Sequence, residues 1–320
     1  MHEHLFLSLS LSSLCYNIYM RYVLIYNPKA GKGKIKKDVQ YITSFFQHQN
    51  KTLDVHETTS KEDAKDFLIK SDKTYDVVMA AGGDGTISTV VNGMMQLDKK
   101  PALAVLPYGS ANDISHILGF GKSIKKALKQ IITTTPVMMD INQMNEHYFV
   151  YTAAAGLFTR ISYDISRKDL KQIGQIAYYI EGIKDLISDY DFDMSITIPE
   201  KTVRNRYTLV LGLAANRVGG IPLVFKKDAK LDDGLFDLHL FERKNIFSKL
   251  NVLAFFVRFG KKVRSDRILS AQSFKIKTNK QVKWNADGEH VCDGNIEIKV
   301  LHRVLPVIVN KKAKKKMFSQ

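Results

Sequence analysis

The 320-residue sequence contains only two cysteines, Cys15 and Cys292, and they lie far apart in different surroundings. A disulfide framework needs pairs of cysteines, and a zinc site needs closely spaced Cys or His, so we expect neither. The nine His residues are scattered along the chain. This usage fits a reducing compartment, and the cytoplasm is the expected location.

Long apolar runs and nucleic-acid-binding motifs are also missing. Residues 5–14 form an apolar run interleaved with serine, which is too short to span a bilayer and lacks a basic leading region. We expect residues 1–19 to be an upstream extension before a start at Met20, with a short membrane-dipping segment as the alternative. The single Trp and the absence of helix-turn-helix, zinc-finger or RNA-binding signatures argue against a nucleic-acid partner.

Acidic residues are outnumbered, with 32 Asp and Glu against 48 Lys and Arg, which gives a net charge of +16. A basic excess of this size predicts a polyanionic partner, and with nucleic acid disfavoured this leaves a nucleotide or an anionic membrane surface. The apolar fraction of 45% is sufficient for a substantial core, and the length suggests one large or two medium domains.

The most informative stretch is Gly82-Gly83-Asp84-Gly85-Thr86. An apolar strand, predicted over Tyr75–Met79, precedes it, and apolar residues at helical spacing follow it. Glycines let a ligand approach bare backbone, and a helix N-terminus presents N–H groups with a partial positive charge. Asp84 would repel phosphate unless it held a cation. The stretch therefore predicts a site for phosphate together with a metal ion.

Two further turns follow the same strand–turn–helix order, Asn27–Lys34 and Pro107–Asp113. Alternation of strands and helices over this half predicts a parallel sheet covered by helices, with all three turns at its carboxyl edge. The second half, from about Tyr148, is rich in short strands and predicts an antiparallel β-sandwich, interrupted by helices over Gln172–Ile187 and Ile246–Phe259. The expected domains are 20–145 and 146–302, with residues from about 303 to 320 returning to the first.

Five motifs in order resemble those of the bacterial diacylglycerol kinase family, a group of lipid kinases, and most closely the soluble enzymes of Gram-positive bacteria. The motifs are Asn27-Pro28-x-x-Gly31, Gly82–Thr86, Pro107-x-Gly109-Ser110-x-Asn112-Asp113, Leu231-Asp232-Asp233-Gly234 and Asp287-Gly288-Glu289. The resemblance implies an α/β nucleotide-binding domain followed by a β-sandwich, with the active site in the cleft. It also implies ATP and Mg²⁺ as cofactors and a lipid substrate.

The resemblance assigns roles residue by residue. The residues expected to hold ATP are Asn27, Pro28, Lys29, Ala30, Gly31, Lys32, Thr58, Gly82, Gly83, Asp84, Gly85, Thr86, Ile87, Ser88, Thr89 and Ser110. Those expected to take part in metal binding are Asp84, Asp113 and Asp140, through water, and Asp233 with the backbone carbonyls of Lys230 and Leu235. The catalytic base is expected at Asp287 or Glu289, and the sequence leaves that choice open.

One departure from the family pattern matters. The family commonly has Asn-Glu where this chain has Ser88-Thr89, so a contact to metal or hydroxyl is in doubt there. The favoured function is phosphorylation of diacylglycerol to phosphatidic acid. The alternatives are another lipid kinase acting on a sphingoid base or acylglycerol, an NAD kinase, and a catalytically weak nucleotide- or lipid-binding protein. The GGDGT element alone does not separate them, because NAD kinases and 6-phosphofructokinases share it.

A lipid kinase without membrane spans must reach its substrate by docking on an anionic bilayer. Three basic segments are candidates for this peripheral contact: Lys122–Lys129, Phe255–Arg264 and Lys311–Lys316. The second combines apolar with basic residues, and the third is expected to be a disordered end of the chain. The family often dimerises, and the sequence does not test this.

Overall fold

A computed structural model of the chain describes residues 20–71, 73–157, 191–223, 229–245, 247–261, 263 and 266–319. The expected extension 1–19 and the predicted helix Gln172–Ile187 lie outside these residues. The described chain divides into two compact units. The first comprises the residues up to Met138 with Leu305–Ala313, and the second comprises Met139–Val304 with the residues from Lys314 onward. No helix in the described ranges is long and apolar enough to cross a membrane.

The first unit is a parallel sheet whose strands alternate with helices. Its elements in chain order are β1 (Arg21–Tyr26), a 3₁₀ turn (Ala30–Gly33), α1 (Lys34–His48), β2 (Thr52–Glu57), α2 (Asp63–Lys70), β3 (Val77–Gly82), α3 (Asp84–Met94), β4 (Ala102–Pro107), α4 (Asp113–Ile117) and α5 (Ile124–Thr133). The strand order is β2-β1-β3-β4, all parallel, and Val307 pairs with Leu103 beyond β4.

The centre of this sheet is buried on both faces, which explains its sequence pattern. Every residue of β3 is buried, so the strand reads as a continuous apolar run rather than an alternation. Ile87, Val90, Val91 and Met94 of α3 are fully buried, as their spacing predicted. Each such side chain contributes about 1.5–3 kcal/mol by leaving water.

The second unit is rich in antiparallel strands. Its elements are β5 (Val137–Met144), β6 (His147–Phe149), β7 (Thr152–Gly156), β8 (Phe192–Ile198), β9 (Lys201–Leu213), β10 (Arg217–Val218), β11 (Ile221–Pro222), β12 (Phe236–Glu242), α6 (Ser248–Val257), β13 (Asp266–Ala271), β14 (Ser273–Thr278), β15 (Lys283–Ala286), β16 (Glu289–Asp293), β17 (Ile296–Val307) and α7 (Lys311–Met317). The long strand β9 pairs with β7, β8 and β12, and Trp284 is fully buried in the core. The two units confirm the predicted fold class.

Several predicted boundaries were wrong. Strand β3 continues through Gly82, because its backbone still pairs with Pro107 of β4. Among the short strands predicted for the second half, β17 is a long one of 12 residues, in which Arg303 has a φ of 49°. The expected disordered tail is instead helix α7, held in part by a hydrogen bond from the Leu231 N–H to the Met317 carbonyl at 2.7 Å.

Candidate functional site

The turn after β3 has the geometry expected of a phosphate-binding turn. Helix α3 begins at Asp84, and its first intrahelical bond runs from the Ile87 N–H to the Gly83 carbonyl at 3.1 Å. The N–H groups of Gly85 and Thr86 lie in this first turn, where the helix dipole is positive, and the Asp84 N–H bonds its own carboxylate. Gly82 is required here, because a Cβ at this position would overlap the Thr86 side chain.

The Pro107–Asp113 turn lies directly against this first turn. A Cβ on Gly109 would overlap the Cα of Gly83, and a Cβ on Gly83 would stand 3.3 Å from the Cα of Gly109. Asn112, in the left-handed conformation with φ 53°, closes the turn with two 2.7 Å bonds to the backbone of Gly109. Only glycine allows the two backbones to approach this closely.

Asp84 connects the two turns through its side chain. Its Oδ1 accepts the Ile114 N–H at 2.9 Å, so this carboxylate caps helix α4. Burial raises the pKa of Asp84, the Ile114 bond opposes that rise, and the negative charge of Asp113 adds to it. Asp113 is fully buried. Two neighbouring carboxylates in a partly buried setting destabilise each other unless a cation lies near them.

This pair fits Mg²⁺, which takes oxygen ligands and keeps several waters, so one or two carboxylates suffice. Among the described residues no group of three or more His, Cys, Asp or Glu is arranged to hold a metal ion. Asp84 and Asp113 would hold such an ion only together with water molecules.

The Asn27–Lys34 loop is ordered by its own turn and by Tyr108. Asn27 Oδ1 accepts the Lys29 N–H at 2.9 Å, and the Asn27 carbonyl accepts the Ala30 N–H at 2.9 Å. Gly31 lies against Tyr108, since a Cβ at Gly31 would be 3.2 Å from the Tyr108 ring. The Tyr108 hydroxyl donates to Asp38 Oδ2 at 2.9 Å, and burial together with this bond raises the Tyr108 pKa.

The other residues expected at the nucleotide fall into two groups. Thr58 is buried at the end of β2, where its N–H and hydroxyl both bond the Tyr26 carbonyl, and Ser110 is exposed on the third turn. Ile87, Ser88 and Thr89 are buried within α3, and the Thr89 hydroxyl donates to the Gly85 carbonyl at 3.1 Å. Ile87 is part of the core, and the Thr89 hydroxyl bonds its own helix.

The Lys230–Leu235 turn of the second unit is held by two carboxylates. Asp140 Oδ2 accepts the Gly234 N–H at 2.7 Å, and its Oδ1 accepts the Arg303 N–H at 2.7 Å and contacts His302 Nδ1 at 3.0 Å. Asp232 pairs with the Arg303 guanidinium at 3.1 Å. The structure thus joins Asp140 to this turn, whereas the resemblance grouped it with Asp84 and Asp113.

Around this turn the backbone is also tied to the C-terminal segment. Asp232 Oδ1 accepts the Ser319 N–H at 2.7 Å, and Lys230 Nζ donates to the carbonyls of Lys316 and Phe318 at 3.2 Å. Asp233 Oδ1 accepts the Leu235 N–H at 3.0 Å. The carboxylate of Asp233 and the main-chain carbonyls of the turn are hard oxygen donors, and such donors fit a divalent cation.

The two acidic side chains of the Asp287-Gly288-Glu289 turn differ in burial and in hydrogen bonding. Asp287 has φ 48° and is buried, and its carboxylate accepts main-chain N–H groups of Val150, Tyr151 and Thr152 at 2.7, 3.0 and 3.2 Å. The three donors stabilise the charged form and take three of the roughly four acceptor positions of the carboxylate. Glu289 is partly exposed at the start of β16.

Four residues that shape these turns have no role assigned from the sequence. Tyr108 and Asn112 lie inside a recognised motif, and their Gly-Ser-Ala-Asn context could have indicated them. His302 and Arg303 carry no motif, because they contact Asp140 from more than 160 residues away in sequence. A surface depression lined by His56, Phe67, Lys70 and Tyr75 contains none of the motif residues, so we assign the chemistry to the turns.

Two protein-family models match the chain. The diacylglycerol kinase catalytic domain matches residues 21–144, and the YegS C-terminal NAD kinase beta sandwich-like domain matches residues 152–309. The diacylglycerol kinase of Bacillus subtilis is 32% identical over 271 residues, covering 83% of this chain and 89% of that protein. The enzyme of Staphylococcus saprophyticus is 31% identical over 271 residues, covering 83% and 88%.

The solved structures agree with these matches. A crystal structure of a diacylglycerol kinase from Bacillus anthracis superposes with a TM-score of 0.75 at 26% identity, covering 92% of this chain and 98% of that one. The match extends through both units, and the motif turns described above lie within the regions of the family models. The chain therefore belongs to the bacterial diacylglycerol kinase family and is a kinase-type phosphotransferase.

Proposed function

We propose that this protein is an ATP- and Mg²⁺-dependent lipid kinase that phosphorylates diacylglycerol to phosphatidic acid. The observation that carries the proposal is the close approach of Gly83 and Gly109, with Asp84 bonded to Ile114 across it. This brings the open first turn of α3 and a pair of carboxylates to one place. Phosphoryl transfer needs that combination of backbone donors and negatively charged groups for a cation.

In the proposed reaction, the first-turn N–H groups of α3 and the lysines of the Asn27–Lys34 loop bind the ATP phosphates. Asp84 and Asp113 would hold Mg²⁺ through water, and the bound ion would neutralise charge on the phosphates. The acceptor hydroxyl attacks the γ-phosphorus, its proton passes to a carboxylate, and ADP leaves. Asp233 and the neighbouring carbonyls would hold a second, structural cation.

For the base, the contacts favour Glu289 over Asp287. The Asp287 carboxylate is occupied by three main-chain donors, so we assign it the role of fixing the turn. Glu289, two residues on and partly exposed, would take the hydroxyl proton. The acceptor itself is supported by the names of the relatives, which are diacylglycerol kinases.

Because a diacylglycerol acceptor lies in a bilayer, the enzyme would work as a cytoplasmic protein associated peripherally with an anionic membrane surface. The net charge of +16 supports this association. A second candidate is a nucleotide- and lipid-binding protein of low catalytic power. It is favoured by Thr89, which stands where the family has Glu and whose hydroxyl bonds Gly85.

Radiolabelled ATP tests these alternatives. The purified chain is incubated with diacylglycerol, monoacylglycerol or sphingosine in mixed micelles, or with NAD in solution, each with Mg²⁺ and with chelator. We expect label in phosphatidic acid only when Mg²⁺ is present. Label in a sphingoid phosphate or in NADP would show that the acceptor is a sphingoid base or NAD instead. The absence of label in every product would refute kinase activity.

A further inference from the structure

Helix α6 is apolar on two opposite faces. Val252 and Phe255 on one face are fully buried and belong to a core cluster of the second unit with Phe241 and Leu223. On the other face, Phe247, Leu250 and Val257 are 60%, 53% and 65% exposed. A surface helix normally carries polar residues opposite its buried stripe, so a second apolar stripe indicates a further contact.

The exposed residues share one side of the helix. Phe247, just before the helix, and Leu250 and Val257 within it are spaced at i, i+3 and i+10, which places them on one stripe. Phe259, 56% exposed, follows directly after the helix end. We use "docking face" for Phe247, Leu250, Val257 and Phe259. Single exposed apolar residues are ordinary, whereas a contiguous group of large ones marks an interaction site.

Phe259 provides a second, independent observation. It has φ 53°, a conformation that is strained for a bulky side chain. The backbone forms a Schellman motif there, with the Phe259 N–H bonded to the Phe256 carbonyl at 3.0 Å and the Gly260 N–H to the Phe255 carbonyl at 2.8 Å. Glycine is the residue that this position favours. An exposed Phe held in a strained backbone has no evident structural benefit, which points to a functional one.

The charges around the docking face identify its partner. From Arg243 to Arg264 the sequence has seven Lys or Arg and no Asp or Glu. Arg243 and Lys244 pair with Asp191 and Glu242, and Lys249 is buried. Arg258 and Lys261 are exposed beside Phe259. Apolar side chains next to basic ones are the composition of segments that lie in the interface of an anionic bilayer.

We propose that the docking face inserts into an anionic lipid bilayer and brings this enzyme to its acceptor. The inference rests on the proposed lipid-kinase function for the choice of a membrane as occupant. The large apolar residues enter the boundary between headgroups and acyl chains, and Arg258 and Lys261 contact the anionic headgroups. A second copy of the chain is the competing occupant, and the experiment decides between them.

The test is sedimentation of the full chain, without nucleotide, with sucrose-loaded vesicles. One set contains phosphatidylcholine alone and the other contains equal parts of phosphatidylcholine and phosphatidylglycerol. We expect binding to the anionic set, weakened by salt. Leu250→Gln and Val257→Gln should each lower the affinity about tenfold through lost apolar burial. Arg258→Gln and Lys261→Gln should each lower it about fivefold on anionic vesicles alone.

Phe259→Gly separates docking from folding. Glycine removes the strain, so thermal stability should stay equal or rise, while vesicle affinity falls about tenfold. The matched control is Ile69→Gln on α2 of the first unit, which removes an apolar side chain that is 43% exposed and should leave binding unchanged. Vesicle binding that none of the docking-face variants alters overturns the proposal.

Two further readouts complete the test. If the wild type is a dimer in sedimentation velocity that Leu250→Gln dissociates, and vesicle binding persists, the face is a protein interface and the proposal fails. Activity is measured on a water-soluble, short-chain diacylglycerol, where the docking-face variants should match the wild type. Failure of the wild type on every acceptor refutes the proposed function, whereas unchanged vesicle binding in the variants refutes the docking face.

Discussion

Gly83 and Gly109 meet backbone to backbone, and a Cβ on Gly109 would overlap the Cα of Gly83. The contact holds the turn before α3 against the turn before α4, and Asp84 fastens the pair by its bond to the Ile114 N–H. The relationship explains why both turns contain glycine where they meet, and it defines a position where small changes should have large effects.

Gly109→Ala should disrupt nucleotide use. The added methyl group forces the two turns apart, and we expect activity to fall about 100-fold, with a loss of about 1–3 kcal/mol in the free energy of unfolding. Steady-state kinetics and chemical denaturation measure these. Gly83→Ala, with 3.3 Å to the nearest Cα, should be milder. Gly121→Ala is the control, since a Cβ there meets nothing within 4 Å. Equal activity in Gly109→Ala and Gly121→Ala would contradict the account.

Asp84→Asn tests the carboxylate without removing the cap. The amide oxygen can still accept the Ile114 N–H, so we expect the fold to persist while activity falls about 100-fold and its response to Mg²⁺ is lost. Asp84→Ala loses the cap as well and should unfold at a lower temperature. A Mg²⁺ titration of activity together with thermal melts distinguishes the two variants. Retained Mg²⁺-dependent activity in Asp84→Asn would remove this residue from the metal site.

In the presence of chelator, the difference in melting temperature between Asp84→Asn and the wild type should depend on pH. The pKa of Asp84 is raised by burial, so its charged form is disfavoured in the folded state. The raised pKa therefore stabilises the folded state fully at pH values below the unfolded pKa of about 3.9. This stabilisation is lost as the pH rises through the pKa of the folded state. The melting temperature of Asp84→Asn should exceed that of the wild type near pH 7, and the difference should shrink toward pH 4. A difference that is constant with pH would argue against burial of the charge.

Asp287→Asn and Glu289→Gln should fail in different ways. Asp287→Asn sets an amide NH₂ against main-chain donors, so we expect a loss of about 3 kcal/mol or more in stability, with activity falling alongside it. Glu289→Gln should melt like the wild type and lose about 100- to 10,000-fold in kcat. Thermal melts and single-turnover phosphorylation report both quantities. If Asp287→Asn folded normally and lost only the chemical step, the two roles would be reversed.

Asp140→Asn tests whether this residue serves the Lys230–Leu235 turn. The carboxylate joins Gly234, His302 and Arg303, so we expect a stability loss of about 1–3 kcal/mol. Hydrogen exchange should show faster exchange at the Gly234 N–H, while that of Ile114, bonded to Asp84, stays protected. Faster exchange at Ile114, with an unchanged exchange rate at Gly234, would indicate that Asp140 acts at the nucleotide site instead.

The sequence predicted the features of the fold that depend on residues close together along the chain. The order of strand, glycines and helix around Gly82–Thr86 was predictable because it lies within a short stretch, and the structure has this order. The parallel sheet followed from alternation, and β3 from its apolar run. The assignment of Asp84 to a metal ion overlooked its bond to Ile114, since that contact spans 30 residues and no spacing rule encodes it.

Long-range contacts explain the remaining differences. The partners of Asp140 come from β17 and from the Lys230–Leu235 turn, and only the folded chain brings them together. The left-handed residues Phe259 and Arg303 are not types that indicate such a backbone, so their positions were not predictable from propensity. From the sequence, the α7 segment is expected to be a solvated lysine run, because its hydrogen bonds to Leu231 and Lys230 cannot be inferred from the sequence.

The central claim is that this chain transfers the γ-phosphate of ATP to diacylglycerol with Glu289 as the base. The most direct measurement follows label from ATP into phosphatidic acid in mixed micelles, comparing the wild type with Glu289→Gln at saturating Mg²⁺. The account predicts rapid labelling by the wild type and a loss of at least about 100-fold in the variant, with equal melting temperatures. Equal labelling by both proteins, or none by the wild type, would contradict it.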